Sequence, residues 1–336
     1  MKLIRSALRG ETTLSPASFT LTLILAVAPC VAASNPAAWK HEWPNTDFSI
    51  HSVEFSEILS GGPPKDGIPA IDFPELIAVS EEESLGPSEG VMTLELEGEI
   101  PRAYPLRYLL WHEIVNDTIG DTPVAVTFCP LCNSAIFFDR RVGGEERSFG
   151  VSGKLRNSDM VMYDRETESW WQQAVGEGIV GVHTGDILDT LPGWLESWAD
   201  FKDRNPEGFV MAQPDYPRSY GRNPYVGYDT SKRPFLYFGE LPPHEIHPLE
   251  RVVRVGNIAW PLERLRQESE LSDEGIVFSW KAGQSSALDT SDVARGRDVG
   301  TIRVRDMATG KDLPHDVMFA FAFHAFYPEG EWKLAK

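Results

Sequence analysis

The run Thr122-Pro-Val-Ala-Val-Thr-Phe-Cys-Pro-Leu-Cys-Asn-Ser-Ala-Ile-Phe-Phe138 constrains the fold more than any other stretch. An apolar, β-branched segment stops at a Cys-Pro-Leu-Cys quartet and resumes β character at Ala135. The pattern predicts two strands joined by a tight turn that holds Cys129 and Cys132. Val91-Met-Thr-Leu-Glu-Leu-Glu97 alternates as a further strand, and residues 160–173 read as a hairpin turning at Asp164 to Thr167. A β-rich chain follows.

Between these strands lies a short helical segment. Leu106, Leu109, Leu110 and Ile114 share one arc at about 100° per residue, and Pro105 suits a first helical turn. Trp111 and Val115 cover the other side, so the helix should be buried with Glu113 facing inward. A buried carboxylate must be paired, protonated or metal-bound. Arg102 or Arg107 could supply the pairing; otherwise His112 and Glu113 are candidate site residues. His112-Glu-Ile-Val-Asn116 starts like a zinc-protease motif but lacks its second histidine, which removes that reading.

The quartet itself admits four chemistries. They are a strained structural disulfide, a thioredoxin-like redox pair, a metal site completed by histidine, and a lone catalytic thiolate. Two cysteines cannot make a four-cysteine zinc site. Thiolate with imidazole suits zinc or copper, and Met160 and Met162 offer thioethers to copper. The expected metal ligands are Cys129, Cys132, His112 and His324. His244-Glu-Ile-His247 has metal-like spacing but is flanked by prolines, which favours a loop. Neither Gly150 to Lys154 nor any other stretch forms a phosphate loop or a nucleotide-cofactor motif.

At its start the chain carries Lys2, Arg5 and Arg9, an apolar run at residues 19–28, and Val31-Ala-Ala33. This pattern predicts a signal peptide over 1–33 and a periplasmic or secreted product. Lipoprotein anchoring at Cys30 is the rival, weakened by Pro29. No later segment approaches the roughly 18 apolar residues of a transmembrane span. A formal charge of −19 argues against nucleic-acid binding. The partner is then a small molecule or a periplasmic protein.

Beyond the leader, residues 34–90 read as an extended, Pro- and Gly-rich arm, and 91–190 as a first β-rich half carrying the Cys-Pro-Leu-Cys turn. Residues 191–235 hold a helix at 194–202 and an aromatic, Pro-rich loop from 213, a candidate lid or partner surface. Residues 236–336 form a second β-rich half. There Ala259-Trp-Pro-Leu262 echoes Ala103-Tyr-Pro-Leu106, and Ser279-Trp-Lys281 stands where Thr127-Phe-Cys129 stands in the first. The expected fold is therefore α+β, predominantly antiparallel β, in two related halves, the second a thiol-free pseudo-repeat. Val317 to Pro328 is expected as a final strand carrying His324.

Five motifs together resemble a bacterial and archaeal family catalogued as "domain of unknown function 3179". They are Arg102-Ala-Tyr-Pro-Leu106, Trp111-His-Glu-Ile-Val-Asn-Asp117, Thr127-Phe-Cys-Pro-Leu-Cys132, Phe149-Gly-Val-Ser-Gly-Lys-Leu155 and Tyr163 to Gln172. Gly61 to Asp72 fits the same family. The resemblance implies that Cys at position 129 is more constant than at 132, where relatives can carry Thr. That shifts weight from an obligate disulfide to Cys129. It implies no reaction. The leading expectation is an exported metal-binding protein or enzyme of redox type centred on Cys129, with His112 and Glu113 assisting. A thiol enzyme with Cys129 as nucleophile and His112 as base is the alternative. A third reading is a non-catalytic binding or assembly module with a structural C-x-x-C.

Overall fold

The computed structural model describes residues 36–334, so the expected leader and Cys30 lie outside the described residues. Strand dominates, at 36% against 15% helix, and the sheets are arranged as a five-bladed β-propeller. This corrects the expectation of an α+β chain in two related halves. Five sheets of three to five strands are present, besides a two-stranded ribbon at Arg141–Val142 and Glu145–Glu146. No helix among the described residues is long and apolar enough to cross a membrane.

The supposed arm is what the halves scheme leaves unexplained. Ile58–Ser60 pairs antiparallel with residues 154–156, Ile71–Asp72 runs parallel to residues 115–116, and Leu76–Ala78 pairs with Phe209–Met211. Three sheets thus borrow an edge strand from it. The sheet built on Phe149–Arg156, Asp159–Asp164, Trp170–Gln172 and Glu177–Val180 has no counterpart later in the chain.

What recurs is a local unit, a strand running straight into a seven-residue helix. Arg102–Pro105 leads to Leu106–His112, Trp194–Ser197 to Trp198–Arg204, Ile258–Pro261 to Leu262–Glu268, and Asp316–Phe319 to Ala320–Phe326. Each helix starts from an extended cap residue; proline serves at 105 and 261 because its fixed φ suits that position and no N–H is needed there. The expected helix over 194–202 therefore begins four residues late. The expected last strand becomes a helix after Phe319, a period that a continuous apolar run does not reveal.

Strands near the centre are buried on both faces. Thr122–Cys129 is buried at all but its first residue and Ser134–Asp139 at all but its last, which explains their continuous rather than alternating apolar pattern. One large cluster of buried side chains runs through these sheets and includes both cysteines. A smaller one, around Trp260 and Phe278, joins the two C-terminal sheets.

Candidate metal centre and adjoining cavity

Thr122–Cys129 and Ser134–Asp139 pair with Cys129 opposite Ser134, so residues 130–133 close the hairpin. Asn133 takes φ 53°, a left-handed conformation that asparagine tolerates. The turn is fastened from outside: Asn133 Nδ2 donates to Val317 O at 2.6 Å, Phe319 N to Cys132 O at 2.8 Å, and Ser134 Oγ to Asp316 Oδ2 at 2.6 Å. These ties turn both thiols inward, where Cys129 is 1% exposed and Cys132 fully buried. Their sulfurs lie 3.0 Å apart.

A third group meets them from the neighbouring sheet. Asn157 and Ser158, both at positive φ, form the two-residue loop between Phe149–Arg156 and Asp159–Asp164, as a type I′ hairpin requires. Asp159 follows at once, and the Cys132 thiol donates to its Oδ1 at 2.7 Å. Its Oδ2 accepts from Gln172 Nε2 at 2.6 Å and Ala174 N at 2.9 Å. Ligand atoms of Cys129, Cys132 and Asp159 all lie within 4.8 Å of one another, and all three residues are buried.

Glu113 completes an acidic group of four. The helix ends at His112, and Glu113 caps it at φ 59°, ψ −34°. Its carbonyl accepts from Phe128 N at 2.8 Å, which draws it against the thiol-bearing strand. Neither Arg102 nor Arg107 reaches its carboxyl; they bind Asp117 and Glu89. No hydrogen bond to that carboxyl occurs among the described residues, although Glu113 is only 8% exposed.

Burial sets the electrostatics. It pushes Glu113 up to about 8, with Asp159's charge adding to the rise. Burial likewise holds Asp159 at about 6, against the lowering hydrogen bonds from Cys132, Ala174 and Gln172. Both thiols are pushed upward, Cys132 the further. No Lys, Arg or His bonds to any of the four among the described residues.

A cavity of about 500 Å³ adjoins the cluster, and Glu113, Leu131 and Met160 form part of its wall. Leu131 sits between the two cysteines in sequence and Met160 follows Asp159, so the cavity adjoins the cluster, while Cys129, Cys132 and Asp159 do not themselves line it. The irregular segment from Pro224 to Phe235 covers the cavity; Tyr228 donates to Leu131 O at 2.9 Å. Burial raises the Tyr225 hydroxyl strongly, with the charges of Glu113 and Cys129 adding to the effect.

A family model described as "Protein of unknown function (DUF3179)" matches residues 65–330, most of the chain. The protein belongs to the DUF3179 family. No curated protein and no solved structure matches the chain.

In this DUF3179 protein the expected site residues divide. Cys129, Cys132 and Glu113 come together; His112 and His324 do not join them. His112 is on the same helix but faces away, with Nδ1 2.7 Å from Pro69 O and Nε2 2.6 Å from the Tyr220 hydroxyl. Desolvation lowers its pKa. His324 lies half-buried on Ala320–Phe326 rather than on a strand, and is absent from the donor cluster. Met160 lines the cavity, while Met162 does not. Sequence reasoning missed Asp159 altogether. Its one local signal was an acid opening an apolar strand directly after a polar Asn-Ser pair.

Proposed function

We propose that Cys129, Cys132 and Asp159 bind one thiophilic divalent cation, zinc in preference to copper, and that the adjoining cavity admits the small molecule on which this centre acts. The observation that carries the reading is the convergence of three buried acidic donors with no basic residue bonded to them. Four buried acids in one place are each driven toward the neutral form, and a cation is the partner that reverses this. Two thiolates and a carboxylate suit zinc, and three protein ligands are the number that leaves a position open for chemistry. Divalent copper would favour imidazole donors, and no histidine joins the cluster. Gln172 and the Ala174 amide support the fit by orienting Asp159 through its second oxygen. A bound zinc ion would supply Lewis acidity. Glu113, neutral to about pH 8 without metal, is the group that would hold or deliver a proton at the cavity wall.

The test is elemental analysis of protein produced with zinc supplied and purified without chelator. One ion per chain is expected, lost in Cys129→Ser and in Asp159→Ala. Wild-type protein that is metal-free, with both thiols titrating as free groups, would refute the reading.

One observation favours a second reading, a reversible dithiol–disulfide couple. Two thiolates on a tetrahedral zinc stand about 3.8 Å apart, given Zn–S bonds of about 2.3 Å, whereas these sulfurs lie 3.0 Å apart. The couple would pass two electrons and two protons to an acceptor disulfide. A metal-free protein with a defined two-electron potential, abolished by Cys132→Ser, would establish it. A thiolate nucleophile fits less well, since burial raises both thiols and His112 is engaged elsewhere.

A further inference from the structure

We infer that Tyr228 is a positioning residue, its hydroxyl a latch that couples closure of the cavity mouth to the place of Leu131 on the thiol turn. The inference rests on the cavity being the approach to the Cys–Cys–Asp centre. Glu113, Leu131 and Met160 line the cavity, whereas Cys129, Cys132 and Asp159 do not. Whatever enters must therefore pass this wall before it meets a sulfur. Leu131 is the part of the wall that the thiol turn itself carries, between the two cysteines.

The far side of the turn is firmly held. The buried Arg251 donates through Nη2 to Asn133 Oδ1 at 3.3 Å, to Asp229 Oδ2 at 3.1 Å and to Ser286 Oγ at 2.8 Å. Asp229 belongs to the covering segment and also pairs with Arg297 at 2.8 Å. The segment's backbone is tied there too, Gly227 N to Asp289 O at 2.6 Å and Tyr228 N to Leu288 O at 3.1 Å. Leu131 is fastened differently. Its carbonyl accepts from the Tyr228 hydroxyl at 2.9 Å, and the same hydroxyl accepts from Phe235 N at 3.2 Å. One oxygen thus joins the cavity mouth to the turn, in a chain whose hydrogen bonds strengthen one another. Burial raises the Tyr228 hydroxyl, with the charges of Cys132 and Cys129 adding to the rise, as befits a group beside both thiols.

Beyond Tyr228 the segment is loosely attached. Residues 231–235 hydrogen-bond only to one another and to Tyr228 among the described residues. Lys232, Arg233 and Phe235 are exposed, Phe235 by 48% although it lines the cavity. A stretch with so few bonds to the rest of the fold opens before its surroundings do. Its departure opens the mouth and takes from the Tyr228 hydroxyl the donor that completes the chain. Leu131 then loses the support of a closed lip, while Asp229 and Arg251 keep the base of the segment in place.

The test is alkylation of the full-length, chelator-treated protein by N-ethylmaleimide at pH 7, with peptide mass spectrometry to separate Cys129 and Cys132 from Cys30. Wild-type thiols are expected to label more slowly than in the urea-unfolded chain, yet faster than the protein unfolds globally. Tyr228→Phe should label about fivefold faster, the worth of one hydrogen bond. Tyr220→Phe loses a hydroxyl bond to His112 rather than to the turn and should label as wild type does; urea unfolding of both variants checks their folding. In the wild type itself, exchange of the Phe235 amide should show protection within about tenfold of that of the thiols, since both wait on one opening. Equal labelling of wild type and Tyr228→Phe, equal acceleration by Tyr220→Phe, amide and thiol protections further apart than this, or wild-type thiols that react only on global unfolding would each overturn the inference. Zinc content is measured on the same preparations before chelation. Zinc present with labelling indifferent to Tyr228→Phe sinks the latch alone, and labelling that follows the latch without zinc sinks the metal reading alone.

Discussion

The buried Glu113 carboxyl makes the metal-free protein pH-sensitive in a calculable way. In an unfolded chain it ionises near its ordinary 4.5; in the fold, burial and the charge of Asp159 hold the proton until about pH 8. Over that window the folded state binds more protons at this site than the unfolded one, so Glu113's contribution to stability is greatest below pH 4.5, falls as pH rises, and levels off above 8. The difference, 8 − 4.5 = 3.5, at about 1.4 kcal/mol per tenfold change, bounds the loss at on the order of 5 kcal/mol. Water entering the cavity would reduce that figure. Glu113→Gln keeps the shape and removes the charge. In chelator-treated protein, urea unfolding should find the variant more stable than wild type by roughly 2–5 kcal/mol at pH 8 and equal to it near pH 4. A smaller inflection between pH 4 and 6, from Asp159, should persist in the variant. If wild type and variant trace parallel curves across this range, Glu113 is not the neutral buried acid described here.

Zinc binding at pH 7 should release about two protons per ion, because burial keeps both thiols protonated beforehand; an indicator-dye titration showing no release would contradict thiolate ligation. His112→Asn should lose about 1–3 kcal/mol of stability through the Tyr220 and Pro69 contacts. It should leave zinc stoichiometry intact, and loss of metal would place His112 in the centre after all. Gly153→Ala should cost more than about 2 kcal/mol in thermal unfolding, since its Cβ collides with Pro63 O at a left-handed φ. A neutral outcome would show that the arm does not rest on this strand.

Elements whose partners are close in sequence were legible from it. The Cys129–Ser134 hairpin, the hairpin turning after Asp164 and the helix before Glu113 each carry their own period and turn residues. The five-sheet arrangement was not legible, because three of its sheets are completed by two- or three-residue strands from the arm. Those strands meet partners as distant as Arg156 from Ile58 or Phe209 from Ala78. The site divides in the same way. Glu113 faces inward, but not for the reason a helical arc supplies. The helix has already ended, and a positive φ aims the side chain. His112 belongs to the helix proper and is carried to the other side, towards Tyr220. Asp159 reaches Cys132 across sheets, and no local pattern in either segment announces that meeting.

The recurring strand–helix unit separates what the fold needs from what the site needs. Ser269 caps its helix at φ 59°, ψ −34°, the same dihedrals as Glu113. Its carbonyl accepts from Trp280 N at 2.8 Å, just as that of Glu113 accepts from Phe128 N. Lys281 therefore occupies the place of Cys129, and it points to solvent with Asp200 as its partner. The same cap dihedrals and the same carbonyl–amide bond are thus built with Ser and Lys at these two positions, without a thiol or a buried acid. Removing Glu113's charge should even stabilise the metal-free fold, which makes the residue a cost to folding rather than a support. An element that the backbone does not require, and that burial penalises, is retained for something the backbone cannot supply. On the proposed metal reading, a cation held by Cys129, Cys132 and Asp159 beside Glu113 would be the partner that offsets these unfavourable burials.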